Sequence, residues 1–255
     1  MRTPVEPLEP AVRDPRKLRR TALWLVAIML ASGVGVFAAY LKWAAKQADD
    51  DRPGFIGRID NKAEFGVVRH DESAAKISEL FGKVWIVCGV PVTQPEGWQT
   101  TRDVLLRLHR RYAGRDDFRI VCFTIDPNRE EPAVLAAAAT EMGVGLPNWW
   151  FVGAGEEYVH KFLKTKLRLG VMPHQKDGKW VYDPSLLVVD RDRHIRQATL
   201  KQGKYRRQKI TFDFEQAAKW DAEGRTRGLE KSNSETLEEL LVKTIDELLA
   251  QPVTP

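Results

Sequence analysis

KVWIVCG, at residues 83–89, is a short apolar run with turn residues on both sides, and the prediction of the fold starts from it. A run of this length is typical of a buried strand. A second such run, RIVCFTI at residues 119–125, stops at Asp126 and Pro127. Between the two runs, residues 98–112 place their apolar side chains on one face of an amphipathic helix. Strand, helix and strand in this order predict two parallel neighbours at the centre of a sheet.

The pattern continues to alternate after the second strand. Helices are predicted over residues 132–142 and 156–167, and a strand is predicted over residues 149–152. Strands at 185–190 and 195–200 are expected to form a hairpin, and a last amphipathic helix is expected over 234–250, with Ser234 as its cap. The whole order predicts an α/β fold, a central mixed sheet with flanking helices, which is similar to the thioredoxin arrangement.

A long uncharged segment lies near the N-terminus. No charged residue occurs from Thr21 to Leu41, and as a helix this segment is about 31 Å long, enough to cross a bilayer core. Basic residues precede the segment and aspartates follow it, so the tail is expected inside and the rest of the chain outside. A cleaved signal peptide is the alternative, but its apolar core is usually only about 7–15 residues long, and Phe37-Ala38-Ala39 matches a cleavage site poorly. We therefore favour one retained N-terminal transmembrane helix.

Composition and patterning divide the chain and exclude several classes of function. The net charge of +5 is too weak to predict nucleic-acid binding, and two cysteines exclude both a disulfide-dense scaffold and a four-thiolate zinc site. The predicted segments are a basic cytoplasmic tail at 1–20, a transmembrane helix at 21–41, a linker at 42–55, a thioredoxin-like domain at 56–200, and a polar extension with the last amphipathic helix at 201–255.

Four motifs resemble the SCO/SenC family of membrane-tethered thioredoxin-like copper proteins. GKVWIV at 82–87 resembles its "GKVWIA", FTIDP at 123–127 its "SFTVDP", WFVG at 150–153 its "W-x-F-L-T-G", and DPS at 183–185 stands where the family has "D-H-S". The resemblance implies a SCO1-like, copper chaperone-like protein of the bacterial cytoplasmic (inner) membrane. It also implies a periplasmic domain, a membrane or periplasmic protein partner such as a cytochrome oxidase subunit, and a role in respiratory oxidase assembly or copper homeostasis.

The residues that carry the family's chemistry are replaced in this chain. Two cysteines of the family's Cys-x-x-x-Cys loop fall at Gln94 and Trp98, and its ligand histidine falls at Pro184. Cu(I) prefers thiolate ligands, and a dithiol–disulfide cycle needs two nearby cysteines. We therefore expect a non-catalytic protein with a pseudo-active site, no copper by the usual route, and partner contacts through Trp98, Trp149 and Trp150. Pro184 is interpreted as the cis-proline common in thioredoxin-like folds.

Two alternatives stay open at the level of sequence. One is a single-cysteine thiol peroxidase or reductase that uses Cys88, although a reactive thiol needs access and a lowered pKa. The other is a copper carrier with displaced ligands from Cys88, Met172 and His174. Cys88 and Cys122 are expected in the core, where the geometry for a disulfide between them is rarely met. Several other polar residues are expected to lie at a helix start or to face solvent, namely Asp126, Glu130, Glu131, His109 and His160.

Overall fold

The computed structural model of the chain describes residues 14–49, 53–60, 65–202, 206–225 and 231–251. The chain divides into two compact units. The first comprises Met1–Asp51 with Lys201–Arg206, and the second comprises Arg52–Leu200 with Arg207–Pro255. Several parts of the predicted segments lie outside the described residues: 1–13 of the tail, 50–52 of the linker, 61–64 of the thioredoxin-like domain, and 203–205, 226–230 and 252–255 of the extension.

One long helix makes up most of the described part of the first unit. This helix, α1, spans Pro15–Asp49. Its Pro15–Trp43 segment is long and apolar enough to cross a membrane, by length and composition. Apolar side chains from Leu23 to Phe37 are exposed around the helix, as lipid-facing side chains would be. The predicted helix at 21–41 is therefore confirmed as a helix, and its passage through a membrane remains a prediction.

The second unit is built on a nine-stranded sheet in the order β1-β10-β9-β4-β5-β6-β2-β3, with β11 paired to β10. These strands are β1 Gly54–Arg58, β2 Gly66–Arg69, β3 Ala74–Lys76, β4 Val84–Val90, β5 Phe118–Thr124, β6 Trp149–Gly153, β9 Leu187–Val189, β10 His194–Gln202 and β11 Arg206–Ile210. A separate hairpin joins β7 His174–Lys176 to β8 Lys179–Val181. The helices are α2 Gln99–Arg111, α3 Pro132–Glu141, α4 Glu156–Lys161 with a π-helical turn at Phe162–Lys166, α5 Phe214–Ala222 and α6 Asn233–Leu249.

Strand directions confirm the thioredoxin-like fold. Strand β4 runs parallel to β5, and β5 runs parallel to β6, as the intervening helices α2 and α3 require. On the other side of β4, β9 pairs antiparallel to it, and β10 returns antiparallel to β9. The prediction of a central mixed sheet with flanking helices is therefore correct.

Both faces of the central sheet are covered, which explains the continuous apolar runs of β4 and β5. Every residue of these two strands is buried. Ile86 and Cys88 contribute to the apolar cluster that also contains residues of α2, α3, α5 and α6. Trp85 and Val87 point the other way, into the cluster that contains residues of α4 and the π-helical turn. Alternation along a strand sends successive side chains into opposite layers, so a strand in the middle layer is apolar throughout.

Several local predictions are corrected. Helix α6 is capped by Ser232, whose hydroxyl accepts a hydrogen bond from the Glu235 N–H at 3.1 Å. Ser234 instead donates its hydroxyl to Asp221 of α5 at 2.7 Å, because the two helices pack together. The predicted helix at 156–167 is α-helical only to Lys161 and then widens into the π-helical turn.

The other differences concern Pro184 and the two polar segments. The Asp183–Pro184 peptide bond is trans, and the cis bond in the described part of the chain joins Leu146 to Pro147. The extension at 201–233, which the sequence left without assigned structure, contains β11 and α5, with Phe214 buried in the core. Regular structure also occupies both ends of the predicted linker at 42–55, since α1 runs to Asp49 and β1 begins at Gly54.

Candidate functional site

The candidate site is the loop of residues 91–98 that follows β4, which we call the site loop. Because β4 and β5 are parallel, the loops after them meet at the same edge of the sheet, where α/β folds place their ligands. Gln94 is half-buried and is followed by the short 3-10 turn Pro95–Gly97. Trp98 begins α2 and is 2% exposed, while Pro184 is half-buried just before β9.

A buried carboxylate ties the site loop to the neighbouring loop. Glu130, which follows β5, is 1% exposed. Its Oε1 accepts hydrogen bonds from the Thr93 N–H at 2.6 Å and the Thr93 hydroxyl at 2.7 Å. Its Oε2 accepts a hydrogen bond from the Thr124 hydroxyl. A buried carboxylate is tolerated only when its oxygens are satisfied in this way, so Glu130 and the site loop hold each other in place.

The far end of the site loop is held by two further contacts. Tyr182 donates its hydroxyl to the Gly97 carbonyl at 2.8 Å. Burial raises the pKa of Tyr182, and the negative charge of Glu215 raises it further, so this hydroxyl stays protonated and able to donate. Glu215 of α5 accepts a hydrogen bond from the Thr101 N–H in the first turn of α2 at 2.8 Å. The loop is therefore held at Thr93 by Glu130 and at Gly97 by Tyr182, and Glu215 holds the first turn of the helix that follows it.

The three tryptophans predicted as partner contacts lie in the core. Trp98 is 2% exposed, Trp149 is 0% exposed and Trp150 is 5% exposed. Trp149 and Trp150 alternate into the two apolar layers because they are consecutive residues of β6. The prediction that these side chains serve as surface anchors is wrong in this conformation, because an anchor must reach the partner. The exposed residues of the site loop are instead Thr93 and Pro95–Gly97.

The residues considered for copper are not brought together. Cys88 is fully buried, whereas Met172 is 44% exposed and His174 is exposed on the β7–β8 hairpin. The His174 Nδ1 lies 3.0 Å from the Met172 carbonyl, a local contact within the hairpin. Gln94, Trp98 and Pro184 supply neither thiolate nor imidazole, which are the donors that Cu(I) prefers. The residues present at the family's copper positions therefore do not fit that metal.

A different group of metal-ligand types lies at the β9–β10 turn. Within the described residues, Asp190, Asp192 and His194 have donor atoms within 4.8 Å of one another. Asp190 is already used in the turn, since its Oδ1 accepts the His194 N–H at 2.8 Å and its Oδ2 accepts the Arg196 Nε–H at 2.7 Å. This group is fully explained as a turn that joins two antiparallel strands.

Buried polar residues beside the site loop were missed from the sequence. Asp126 is 4% exposed, and its Oδ2 accepts a hydrogen bond from the Trp180 indole N–H at 3.1 Å. His160 was expected to face solvent but is 5% exposed, with Nε2 donating to the Ile125 carbonyl at 2.7 Å. Together with Glu130 these residues hold the loop after β5, and none of them caps α3 by a side-chain hydrogen bond. The clustering of acidic residues after β5 was visible in the sequence, but their partners were not.

The two cysteines lie in the core, as predicted, and they face each other. Cys88 and Cys122 are directly paired across β4 and β5, with their Sγ atoms 3.7 Å apart. Both are free and fully buried. A thiol without access to solvent cannot meet a peroxide or a substrate, so the closed fold does not suit a peroxidase that uses Cys88.

Comparison with known proteins gives similarity to solved structures alone. No family model matches the sequence, and no curated protein matches it. One similar structure is a SCO1/SenC family lipoprotein from Bacillus anthracis, at 17% identity and a TM-score of 0.49, covering 72% of this chain and 92% of that one. Another is Arabidopsis thaliana ScoI with copper bound, at 14% identity and a TM-score of 0.48, covering 72% and 96%. Bradyrhizobium japonicum ScoI with copper bound matches at 16% identity and a TM-score of 0.42, covering 75% and 98%.

Proposed function

We propose that this chain is a membrane-anchored, SCO/SenC-like protein that has lost copper and dithiol chemistry and acts through protein–protein contacts. Its setting is the assembly or maintenance of a respiratory cytochrome oxidase at a bacterial inner membrane. The N-terminus lies inside and the thioredoxin-like domain lies on the periplasmic side. The four sequence motifs support the family, and the charge distribution around residues 21–41 supports the orientation.

The observation that carries the loss of chemistry is the content of the site loop. Gln94, Trp98 and Pro184 stand at the positions of the family's ligands, and none of them can bind Cu(I) as a thiolate or imidazole does. Hydrogen bonds from Thr93 to Glu130 and from Tyr182 to the Gly97 carbonyl give this loop a defined conformation, which suits a contact surface.

The partner surface is a continuous patch around the site loop, which we call the site face. Tyr182 contacts the loop through Gly97, and the neighbouring Asp183 accepts a hydrogen bond from the Gly170 N–H at 2.5 Å. The segments at residues 94–97, 170–172 and 181–184 are therefore adjacent. Exposed apolar side chains in this patch offer the contact area that a protein partner needs: Val171 at 37%, Met172 at 44% and Val181 at 36%.

Site-specific photocrosslinking from the full-length chain in its own membrane tests the partner surface. A photoreactive phenylalanine analogue replaces Met172 or Glu96 on the site face. The control position is Phe81, which is 49% exposed and lies before β4, about 23 Å away along the seven residues of that strand. Crosslinks to a subunit or assembly factor of a cytochrome oxidase from the site face, and none from Phe81, are expected. Equal crosslinking from Phe81, or none from either site-face position, would contradict the proposal.

A Cu(I) competition titration of the full-length chain in detergent tests the loss of copper chemistry. The chain is expected to take no Cu(I) from a chelator that holds the metal as tightly as a pair of thiolates does. Cu(I) bound with thiolate-like affinity would overturn this part of the proposal. A matched titration of the His174→Ala variant would then show whether the displaced ligands on the β7–β8 hairpin are responsible.

A further inference from the structure

Cys88 and Cys122 face each other at the centre of the two innermost strands. They are the only two cysteines of the sequence. Parallel pairing places Cys88 directly opposite Cys122, and their Sγ atoms are 3.7 Å apart. Both side chains are 0% exposed and belong to the same apolar cluster. The fold therefore makes direct neighbours of two thiols that are 34 positions apart in the sequence.

The usual spacing of neighbouring strands is compatible with a disulfide between them. Neighbouring strands lie about 4.7–4.9 Å apart, and disulfides usually join Cα atoms about 4.4–6.8 Å apart. The Sγ atoms are 3.7 Å apart, and a disulfide would shorten this distance to about 2.05 Å. The sequence predicts that the geometry for a disulfide between two mid-strand cysteines is rarely met. Parallel register, which no local pattern reveals, nevertheless places this pair side by side.

Burial decides when such a bond can form. Burial raises the pKa of the Cys122 thiol well above its usual value, and the neighbouring Cys88 raises it further. The neighbouring Trp149 indole lowers the pKa of Cys122 by a smaller amount, although its N–H makes no hydrogen bond within the described residues. Neither sulfur is reachable in the closed fold. Exchange therefore requires an open core, as during folding after the chain has crossed the membrane.

We propose that Cys88 and Cys122 form an intrachain disulfide by exchange with the disulfide of a protein thiol oxidase while the core is open. One cysteine thiolate attacks the oxidase disulfide and forms a mixed disulfide, releasing one oxidase thiolate. The second cysteine thiolate attacks the first cysteine sulfur and releases the other oxidase thiolate. The two cysteines lose two protons and two electrons, and the oxidase takes up the electrons as its dithiol.

The bond has a structural role at the base of the site loop. It joins β4 to β5 two residues before these strands end, where the site loop and the Glu130 loop begin. Closure of the core over the bond protects it from reductants, because thiol–disulfide exchange needs access to a sulfur. The supply of an oxidase rests on the proposed periplasmic location, whereas the bond geometry does not.

The test counts free thiols in the full-length chain. Membranes that contain the chain are quenched with acid, denatured, and treated with a thiol-reactive polyethylene glycol, with and without prior reduction. No labelled cysteine without reductant and two with it are expected, together with a mass two hydrogen atoms below that of the reduced chain. Peptide mapping must place the bond between Cys88 and Cys122 of the same chain. In the native protein, reductant is expected to leave the bond intact until denaturant opens the core.

A second experiment tests whether the disulfide can form, independently of where the domain lies in the cell. The purified full-length chain is reduced, opened in mild denaturant, and returned to native conditions in reduced and oxidised glutathione. An intrachain disulfide that becomes protected on closure supports the proposal. Two free thiols, or mixed glutathione adducts that native-state reductant removes, overturn it. Cys88→Ala and Cys122→Ala are the matched single-thiol controls and must give only such removable adducts. If membranes hold the reduced chain but this experiment forms the bond, the pairing stands and the periplasmic location fails.

Discussion

Replacing Glu130 by alanine is expected to release the site loop and to destabilise the second unit. Three hydrogen bonds from Thr93 and Thr124 end on the Glu130 carboxylate, which is 1% exposed. The Thr93 side chain can return to water because Thr93 is exposed. Thr124 is 0% exposed, so its hydroxyl loses its acceptor without gaining water. Each orphaned buried donor costs about 1–3 kcal/mol, and the relief of a buried charge offsets part of this cost.

The net loss expected for Glu130→Ala is therefore about 3 kcal/mol in the free energy of unfolding. Glu130→Gln retains one acceptor oxygen for Thr93 and turns an amide N–H₂ toward the Thr124 hydroxyl, which can accept. The free energy of unfolding of this variant is expected to fall by only about 1 kcal/mol. Glu131→Ala is the matched control, because Glu131 is exposed and makes no side-chain capping bond. It should stay within about 0.5 kcal/mol of the unaltered chain.

Denaturant unfolding of the full-length chain in detergent measures these differences. Buried tryptophans, including Trp98 and Trp149, report loss of the core through their fluorescence. The order expected is Glu131→Ala most stable, then Glu130→Gln, then Glu130→Ala. Equal midpoints for Glu130→Ala and Glu131→Ala would refute the claim that the buried carboxylate holds the loop. Faster proteolysis near the site loop in Glu130→Ala alone would give a second, local readout.

Three further predictions concern the rest of the brace and two carboxylates, Asp213 and Asp117. Tyr182→Phe removes the donor to the Gly97 carbonyl and is expected to lower the free energy of unfolding by about 1 kcal/mol; an unchanged denaturation midpoint would count against this contact. Burial raises the pKa of Asp213, so its ionised form opposes folding, and Asp213→Asn should become the more stable chain as pH rises through that pKa. Equal denaturation midpoints from acid to neutral pH would contradict that sign. Hydrogen bonding to Arg115 lowers the pKa of Asp117, so the ionised carboxylate stabilises the fold at neutral pH. Asp117→Asn should therefore lower the free energy of unfolding by about 1 kcal/mol at neutral pH. This difference should shrink as pH falls below the ordinary carboxyl pKa. A loss that is independent of pH in the same titration would show that packing, and not charge, is responsible.

The elements that are buried on both faces were predictable from the sequence, and the short polar ones were not. Strands β4 and β5 were recognised because both of their faces are buried, which makes them apolar throughout. Strand β11 and helix α5 were not recognised, because they are short and carry many polar residues. Their burial rests on a few residues such as Phe212 and Phe214, which pack only once the rest of the core exists.

The candidate site was located from the sequence, but its construction was not. The position of the site loop follows from β4 and from the motif order. Glu130 was interpreted as a helix-start residue, since a carboxylate gives no local sign of a partner 37 residues away. Trp98 was interpreted as a partner contact because aromatic side chains dominate interface energies, whereas its side chain is buried in the core before α2. The pairing of Cys88 with Cys122 depends on register, which the two apolar runs do not encode separately.

The brace around the site loop bears on why the chain orders a loop that carries neither thiolate nor imidazole donors. A loop that binds nothing needs no defined conformation, because ordering one residue of backbone costs about 1–2 kcal/mol of conformational entropy. Here the loop is nonetheless held by Glu130 at Thr93 and by Tyr182 at Gly97, each through a geometrically good hydrogen bond. Such ordering is useful in a surface to which a partner protein binds without a change in conformation, because a preordered loop loses less entropy on binding. The brace therefore supports contact with a partner better than it supports a relic without function.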